Sequence, residues 1–455
     1  MTGLSYKLIG KVDETNPIYT FIKEHLAGSK LHLEICELDD VISVETHDVY
    51  IVDSKAALMD GNLKYIDFLK SIFTKDSSLL LLDLDEVYKR KLIEYIGFSS
   101  TGISDAFFIS TKKNVSDKIE THIVDFKSND DCHRSSISFN SEGEVIPEKD
   151  GPHVINDDYN KDRVESFYEK MRDVHFAKPD EDNDIPPELK YKKWIYSVNY
   201  PWNCWERPHW YNFVPRKQNT HGDMTYTVYA FLDEAVNLNK FDWIYVDVEG
   251  LWSTGGMNQN KHNERGWSIG SIDISIPDPS GFSYYKCHPT NVNDVQTVTT
   301  EMGFDVGYQQ GSGVQGSYHF GSSTTKNIRD WEIKLLSRNK WLFEQNHPFK
   351  GKTTSFPDGA LHWQSSQCRE RIHDLPNLSK LSIDVDTKSA WKNNKHIHGV
   401  VTIKPYLSVL YNYLAVKDWS WCPGNPHDWK AIEWSEYYER THAFDIDLGV
   451  LDKLS

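Results

Sequence analysis

Several things are missing from this chain of 455 residues, and each absence removes a class of function. Lys and Arg number 50 against 67 Asp and Glu, and no basic run interrupts the resulting net charge of -17. Nucleic-acid binding needs clustered cations to neutralise phosphate, so the composition argues against it. The same acidic surface exerts no long-range pull toward anionic lipid, which leaves aromatic or headgroup-specific contacts as the only route to a membrane. No apolar run approaches the ~18 residues of a transmembrane helix. The opening segment MTGLSYKLIGKVDETNP lacks the charged-then-apolar pattern of a signal peptide, so the expectation is a chain made soluble and exported, if at all, by another route. There is no GxGxxG, no GxxxxGK followed by Ser or Thr, and no HExxH. The six cysteines (Cys36, Cys132, Cys204, Cys287, Cys368 and Cys422) are widely spread, without CxxC or zinc-type spacing. They fit buried thiols or one or two disulfides, and spacing does not choose.

Aromatic side chains, by contrast, are plentiful, with 15 Trp and 24 Tyr in a chain that is 39% hydrophobic. Rings in such number suit surface recognition or a membrane interface as well as core filling. The length calls for two or three domains. Residues 1–130 read as an α/β unit: apolar runs at Tyr6–Ile9, Leu31–Cys36, Val49–Val52, Leu79–Leu84, Ala106–Ser110 and His122–Phe126 alternate with helical spacing at Ile18–Leu26, Leu63–Phe73 and Glu86–Ile96. Residues 131–189 have the composition of an acidic linker, with a short helix over Val164–Val174. From residue 190 to 455, short strands with Gly, Pro and Asn breaks predict a mostly antiparallel β-sandwich, giving an α+β multidomain chain.

One stretch stands out within that sandwich. VTTEMGFDVGYQ from Val298 and VQGSYHFGSSTT from Val314 flank Gln310-Gly311-Ser312-Gly313, a turn able to supply positive φ. Alternation puts Val298, Met302, Phe304, Val306, Tyr308, Val314, Tyr318 and Phe320 on one face, and Glu301, Asp305, Gln309, Gln315 and His319 on the other. Each arm is about 12 residues, slightly more than the ~9–11 that a tilted strand needs to cross a bilayer. Apolar-out and polar-in is the pattern of a membrane barrel, but one hairpin cannot close a barrel, so several copies would each have to contribute one. The same pattern fits a hairpin resting one face on a soluble core.

Three look-alikes of catalytic or metal motifs are weak. Asp83-Leu84-Asp85 ends a strand as Mg²⁺-binding DxD motifs do, yet it equally suits a strand end feeding a helix whose N-terminus favours acids. Gly266-Trp267-Ser268-Ile269-Gly270 matches GxSxG, but a strand follows it where the nucleophile elbow needs a helix. His396 and His398 have no third ligand at metal-like spacing. The expectation is a non-enzymatic protein with no catalytic residue, metal or cofactor.

The hairpin and its flanks resemble a known family. Ser283-Tyr284-Tyr285, Pro289-Thr290-Asn291, the Thr-rich strand from Val298 through the Gly303-Phe304 step, and the return through Thr324-Thr325-Lys326-Asn327 to Asp330-Trp331 are similar to the prestem of leukocidin/hemolysin β-pore-forming toxins. Leu375-Pro376 with Leu378-Ser379, and the end containing Trp421, Trp429, Trp434 and Asp445-Ile446-Asp447, resemble that family's later strands. The resemblance covers roughly residues 190–451. It implies a secreted toxin that binds a target-cell membrane and assembles into a ring of about seven or eight copies, whose hairpins close a barrel without edges. The prestem would span about 295–328, with Glu301, Asp305, Gln309, Gln315 and His319 lining the lumen and the apolar row facing lipid. A membrane-binding rim over about 339–375 would use Trp341, Phe343, Phe349, Phe356, Trp363 and Arg369 to hold phosphocholine headgroups. Cholesterol or a glycan or protein receptor are further partners the resemblance allows. Trp202, Trp205, Trp210 and Tyr211 form a second aromatic candidate. The staphylococcal type lacks so large an N-terminal unit; Vibrio-type cytolysins carry a pro-region, which implies a pro- or chaperone-like role for residues 1–130, releasable by cleavage near 129–160 or 178–193. The competing reading is a carbohydrate- or lipid-binding sandwich whose hairpin never moves.

Overall fold

The computed structural model describes residues 5–27, 33–36, 48–58, 63–73, 77–114, 118–127, 133–139, 145–146, 157–179, 185–205, 217–236, 239–253, 257–260, 263–292, 297–309, 314–328, 331–345, 353–354, 382–415, 429–430 and 434–454. It is mostly β, with large antiparallel sheets. The N-terminal strands Ser5–Ile9, Leu33–Cys36, Asp48–Asp53 and Ser78–Leu84 pair in parallel. Parallel strands are covered on both faces and so read as unbroken apolar runs. Leu79 and Leu81 accordingly enter one core and Leu80 and Leu82 another. The helices Leu63–Phe73 and Glu86–Ile96 cover the first face, and Pro17–Ala27 and Asp157–Phe176 the second.

The helix boundaries follow local chemistry. Pro17 occupies the first turn, where no amide partner is lost, and Asn16 Oδ1 caps the Ile18 and Tyr19 amides at 3.0 and 3.2 Å. Asp85 caps Glu86–Ile96 by accepting from the Tyr88 amide at 2.9 Å, and Gly97 closes it in the left-handed region at φ 67°. Asp85 is thus a helix cap, while Asp83 accepts a hydrogen bond from Asn16 at 2.9 Å. Ser268 of the GxSxG match lies inside the strand Asn263–Ser275, with no helix after it.

The sheet does not stop where the α/β composition stops. Ile119–Phe126 pairs in parallel with Tyr191–Trp205, and the sheet continues through Lys217–Val236, Asn239–Ser253, Ser382–Asn393 and Ser283–His288 to eleven strands. Two further pairings bind the halves: Phe98–Ser100 with Phe444–Asp447, and His133–Phe139 with Trp434–Thr441. The stretch expected as a linker therefore supplies sheet strands and a helix of 20 residues. Cutting out residues 1–130 would strip a hydrogen-bonded neighbour from Tyr191–Trp205 and leave an open edge.

The eight-stranded sheet packs on one face of the later half of the eleven-stranded sheet. Val228, Ala230, Ile244, Val246 and Val248 share a core there with Ile272, Ile274, Val409 and Tyr411. Trp341 and Phe343 belong to this core and are fully buried; the Trp341 indole donates to Pro289 O at 2.8 Å. Their assignment to a lipid-facing rim is corrected: in Lys340–Gln345 the alternation that buries them turns Lys340, Leu342 and Glu344 the other way. Phe349, Phe356, Trp363 and Arg369 lie outside the described residues, as do Trp210 and Tyr211; Trp202 and Trp205 fall on the strand Tyr191–Trp205.

Candidate functional site

The two arms, Thr297–Gln309 and Gln315–Asn327, form a two-stranded sheet of their own, paired residue for residue from Thr297 with Asn327 to Gln309 with Gln315. Among the described residues neither arm joins a larger sheet through a strand ladder. The hairpin lies instead on the outer face of the eleven-stranded sheet, opposite the sandwich core. By alternation along the strands this is the face that the helices Pro17–Ala27 and Asp157–Phe176 cover farther along.

Side chains do the holding. Val298, Met302, Phe304, Val306 and Phe320 are buried, and Tyr308 and Tyr318 are half-buried. Phe304 stacks on Trp243 with ring centres 4.5 Å apart, and Phe320 meets Tyr245 edge-on at 4.9 Å and Phe231 at 5.1 Å. Phe304 and Phe320 are themselves directly cross-strand, 5.0 Å apart. The outer face carries Glu301, Asp305, Gln309, Gln315 and His319, all exposed. Asp305 lies across from His319, whose Nδ1 is 2.8 Å from its carboxylate. Both rows expected from alternation are thus brought together on the hairpin. Val314 departs from its row: it precedes the second arm and is 55% exposed.

Toward the hairpin base the docked face turns polar. Lys388, fully buried on the sheet, reaches Asp247 at 2.5 Å, Asp386 at 3.3 Å and Thr324 of the hairpin at 3.0 Å. Thr300 donates to Asp386 at 2.6 Å, and Tyr245 donates to Asp247 at 3.0 Å. Nearer the tip, the Gly307 amide donates to Asp233 at 3.2 Å. Lys326 meets Glu249 at 3.3 Å at the margin. Two carboxylates thus share one buried ammonium. Burial pushes Asp386 up to about 6, the neighbouring Asp247 carboxylate adding to the rise and Lys388 opposing it; Asp247 is also raised, chiefly by burial.

Alternation within the hairpin does not reveal its docking surface, but the sheet strands carry a signal for it. Tyr229, Phe231, Trp243 and Tyr245 alternate with Val228, Ala230, Ile244 and Val246, so these strands carry large apolar groups in both phases. A strand apolar in both phases is covered on both faces, and the second cover is the hairpin.

No family model matches this chain, and no curated protein does. Solved structures similar to it include one described as a pore forming protein, at 11% identity and a TM-score of 0.35, covering 55% of this chain and 97% of that one. Another is Clostridium perfringens delta-toxin, at 10% identity and a TM-score of 0.33, covering 55% and 90%. At these values the likeness fixes no function.

The raised carboxylates set a sign for the effect of pH. Undocking would return Asp386 to water and to the ordinary range near 3.9. Between pH about 4 and about 6 the docked form therefore holds more protons, and docking weakens as pH rises through that window. Amide exchange of the two arms, normalised to the strand Ser78–Leu84, is expected to be slower at pH 4.5 than at pH 7, with Asp386→Asn removing the difference. Protection that instead grows with pH would contradict this.

Proposed function

We propose that this chain is a pore-forming protein whose hairpin leaves the sheet and enters a bilayer, copies of the chain pairing arm to arm into a closed barrel. The observation that carries the reading is that, among the described residues, the amphipathic hairpin is held to the sheet by side-chain packing and a few polar contacts and by no strand ladder. Among the described residues it shares no ladder with the sheet that its departure would break, and no strand pairs with either of its outer edges. An apolar face of this kind has to be covered, by the sheet before insertion and by hydrocarbon after it. Thirteen residues per arm at ~3.3 Å each, tilted by ~40°, reach roughly 33 Å, enough for a hydrocarbon band of ~25 Å. Lys326, cross-strand from Val298 at the open end of the hairpin, would then fall at the barrel base at the edge of the hydrocarbon, while Thr300, Ser322 and Thr324 share the lipid-facing side with the apolar row.

In this reading several copies close the barrel, since one hairpin cannot satisfy its own edges in lipid, and the resemblance implies about seven or eight. Val298, Met302, Phe304, Val306, Tyr308, Tyr318 and Phe320 face lipid; Glu301, Asp305, Gln309, Gln315 and His319 face water. The protein acts outside the cell that makes it, on a target membrane. Phosphocholine contact falls to the remaining rim candidates Phe349, Phe356, Trp363 and Arg369. A sandwich with a static hairpin is the reading to be beaten.

Cysteines replacing Glu249 and Lys326, joined by a short cleavable thiol cross-linker, would tie the hairpin base to the sheet. Dye release from phosphatidylcholine–cholesterol vesicles should fall to background in the joined protein, return on cleavage, and persist in each single-cysteine control. Release that ignores the tie would remove the moving hairpin from the account. Rings of Glu301 and Asp305 concentrate cations, so reversal potentials should show cation preference that Glu301→Gln with Asp305→Asn diminishes. Anion preference in the unaltered channel would overturn the lumen assignment.

A further inference from the structure

Away from the hairpin, the fold assembles a side-chain cluster that sequence spacing hides. His396 and His398 stand in the loop after Ser382–Asn393, and Asp452 projects from the terminal 3-10 helix Leu448–Lys453. Asp452 Oδ2 lies 3.0 Å from His396 Nε2 and 2.7 Å from His398 Nδ1, and the three ligand atoms fall within 4.8 Å of one another. Behind them Asp242, fully buried on the strand Asn239–Ser253, lies 2.6 Å from His396 Nδ1 and accepts the Ile397 amide at 2.6 Å.

We propose that His396, His398 and Asp452 form a binding site for a divalent transition-metal ion of the zinc type. Asp242 is the outer carboxylate that such sites place behind a ligating imidazole. By accepting the Nδ1–H it fixes the tautomer and leaves Nε2 as the nitrogen that can turn a lone pair to an ion placed between it and Asp452. Two imidazoles and one carboxylate, with an open position for water, are a donor set zinc accepts. At metal–ligand bonds of ~2.0–2.1 Å, tetrahedral ligands stand roughly 3.3–3.4 Å apart. From 3.0 and 2.7 Å, the two histidine–carboxylate distances need to open by about 0.3–0.7 Å to admit the ion. His396 is held nearly out of solvent, while His398 and Asp452 are 70% and 33% exposed and free to make that adjustment. Lys240, 3.9 Å from the other Asp452 oxygen, is 43% exposed and has room to turn to solvent. A bound ion would clip the last helix to the loop and, through Asp242, to the strand that carries Trp243.

The test uses the full chain, stripped by chelator and titrated with ZnCl₂, with bound metal counted after dialysis and the thermal midpoint read in parallel. One tightly held zinc per chain and a midpoint that rises with zinc are expected, both lost in His398→Ala, whose exposed side chain can be removed without disturbing a core. Asp452→Asn should lose them too, and Co²⁺ in place of Zn²⁺ should give the visible absorption of a four-coordinate site. No saturable binding, or binding that His398→Ala retains, would reduce the cluster to a histidine–carboxylate network and overturn the proposal. Neither result depends on whether the hairpin moves.

Discussion

Everything distinctive in this molecule depends on one constraint: the apolar row of the hairpin cannot be left in water. Five of its side chains are buried on the sheet, and burial of that kind contributes ~1.5–3 kcal/mol per side chain, so the docked face is worth roughly 10 kcal/mol. The term is non-directional. It asks only for an apolar surface, and hydrocarbon offers the same transfer as Trp243, Phe231 and Tyr245 do. Because, among the described residues, the arms share a strand ladder only with each other, exchanging one apolar partner for another leaves that ladder intact.

The polar cluster at the base plays a different part. An ammonium shared by two buried carboxylates is close to break-even once desolvation is counted, so Lys388, Asp247 and Asp386 add little to the strength of docking. They do fix where the hairpin lies, since a slip of one residue would pull Thr300 and Thr324 off their partners. Apolar contact holds the hairpin down and the polar cluster sets its register. Protonation of Asp386 lowers the cluster's desolvation cost, so proton uptake tunes the strength of docking.

How much of this was legible depended on how local each signal is. The hairpin, both of its faces and most of the N-terminal elements follow from periodicity and capping residues, which act over a few positions. The continuation of the sheet from Ile119–Phe126 to Tyr191–Trp205 does not, because it joins segments separated by an acidic stretch whose composition reads as linker. The resemblance places Trp341 and Phe343 in a rim, whereas KWLFEQ itself carries the alternation of a strand with one face buried. The residue facing His396 and His398 is more than fifty positions away, at Asp452, beyond any spacing rule. The docking face was present in the residues as strands apolar in both phases, and needed only the question of what covers the second face.

The most direct measurement leaves the chain unaltered. Vesicles containing a carbene-generating phospholipid would be incubated with the protein and illuminated, and the labelled residues mapped by mass spectrometry. The account predicts label on Met302, Phe304, Val306 and Phe320, with Glu301, Asp305, Gln315 and His319 unmarked between them. Protein that permeabilises the vesicles while residues 297–327 stay free of label would contradict it, and would return the hairpin to the role of a fixed cover on its sheet.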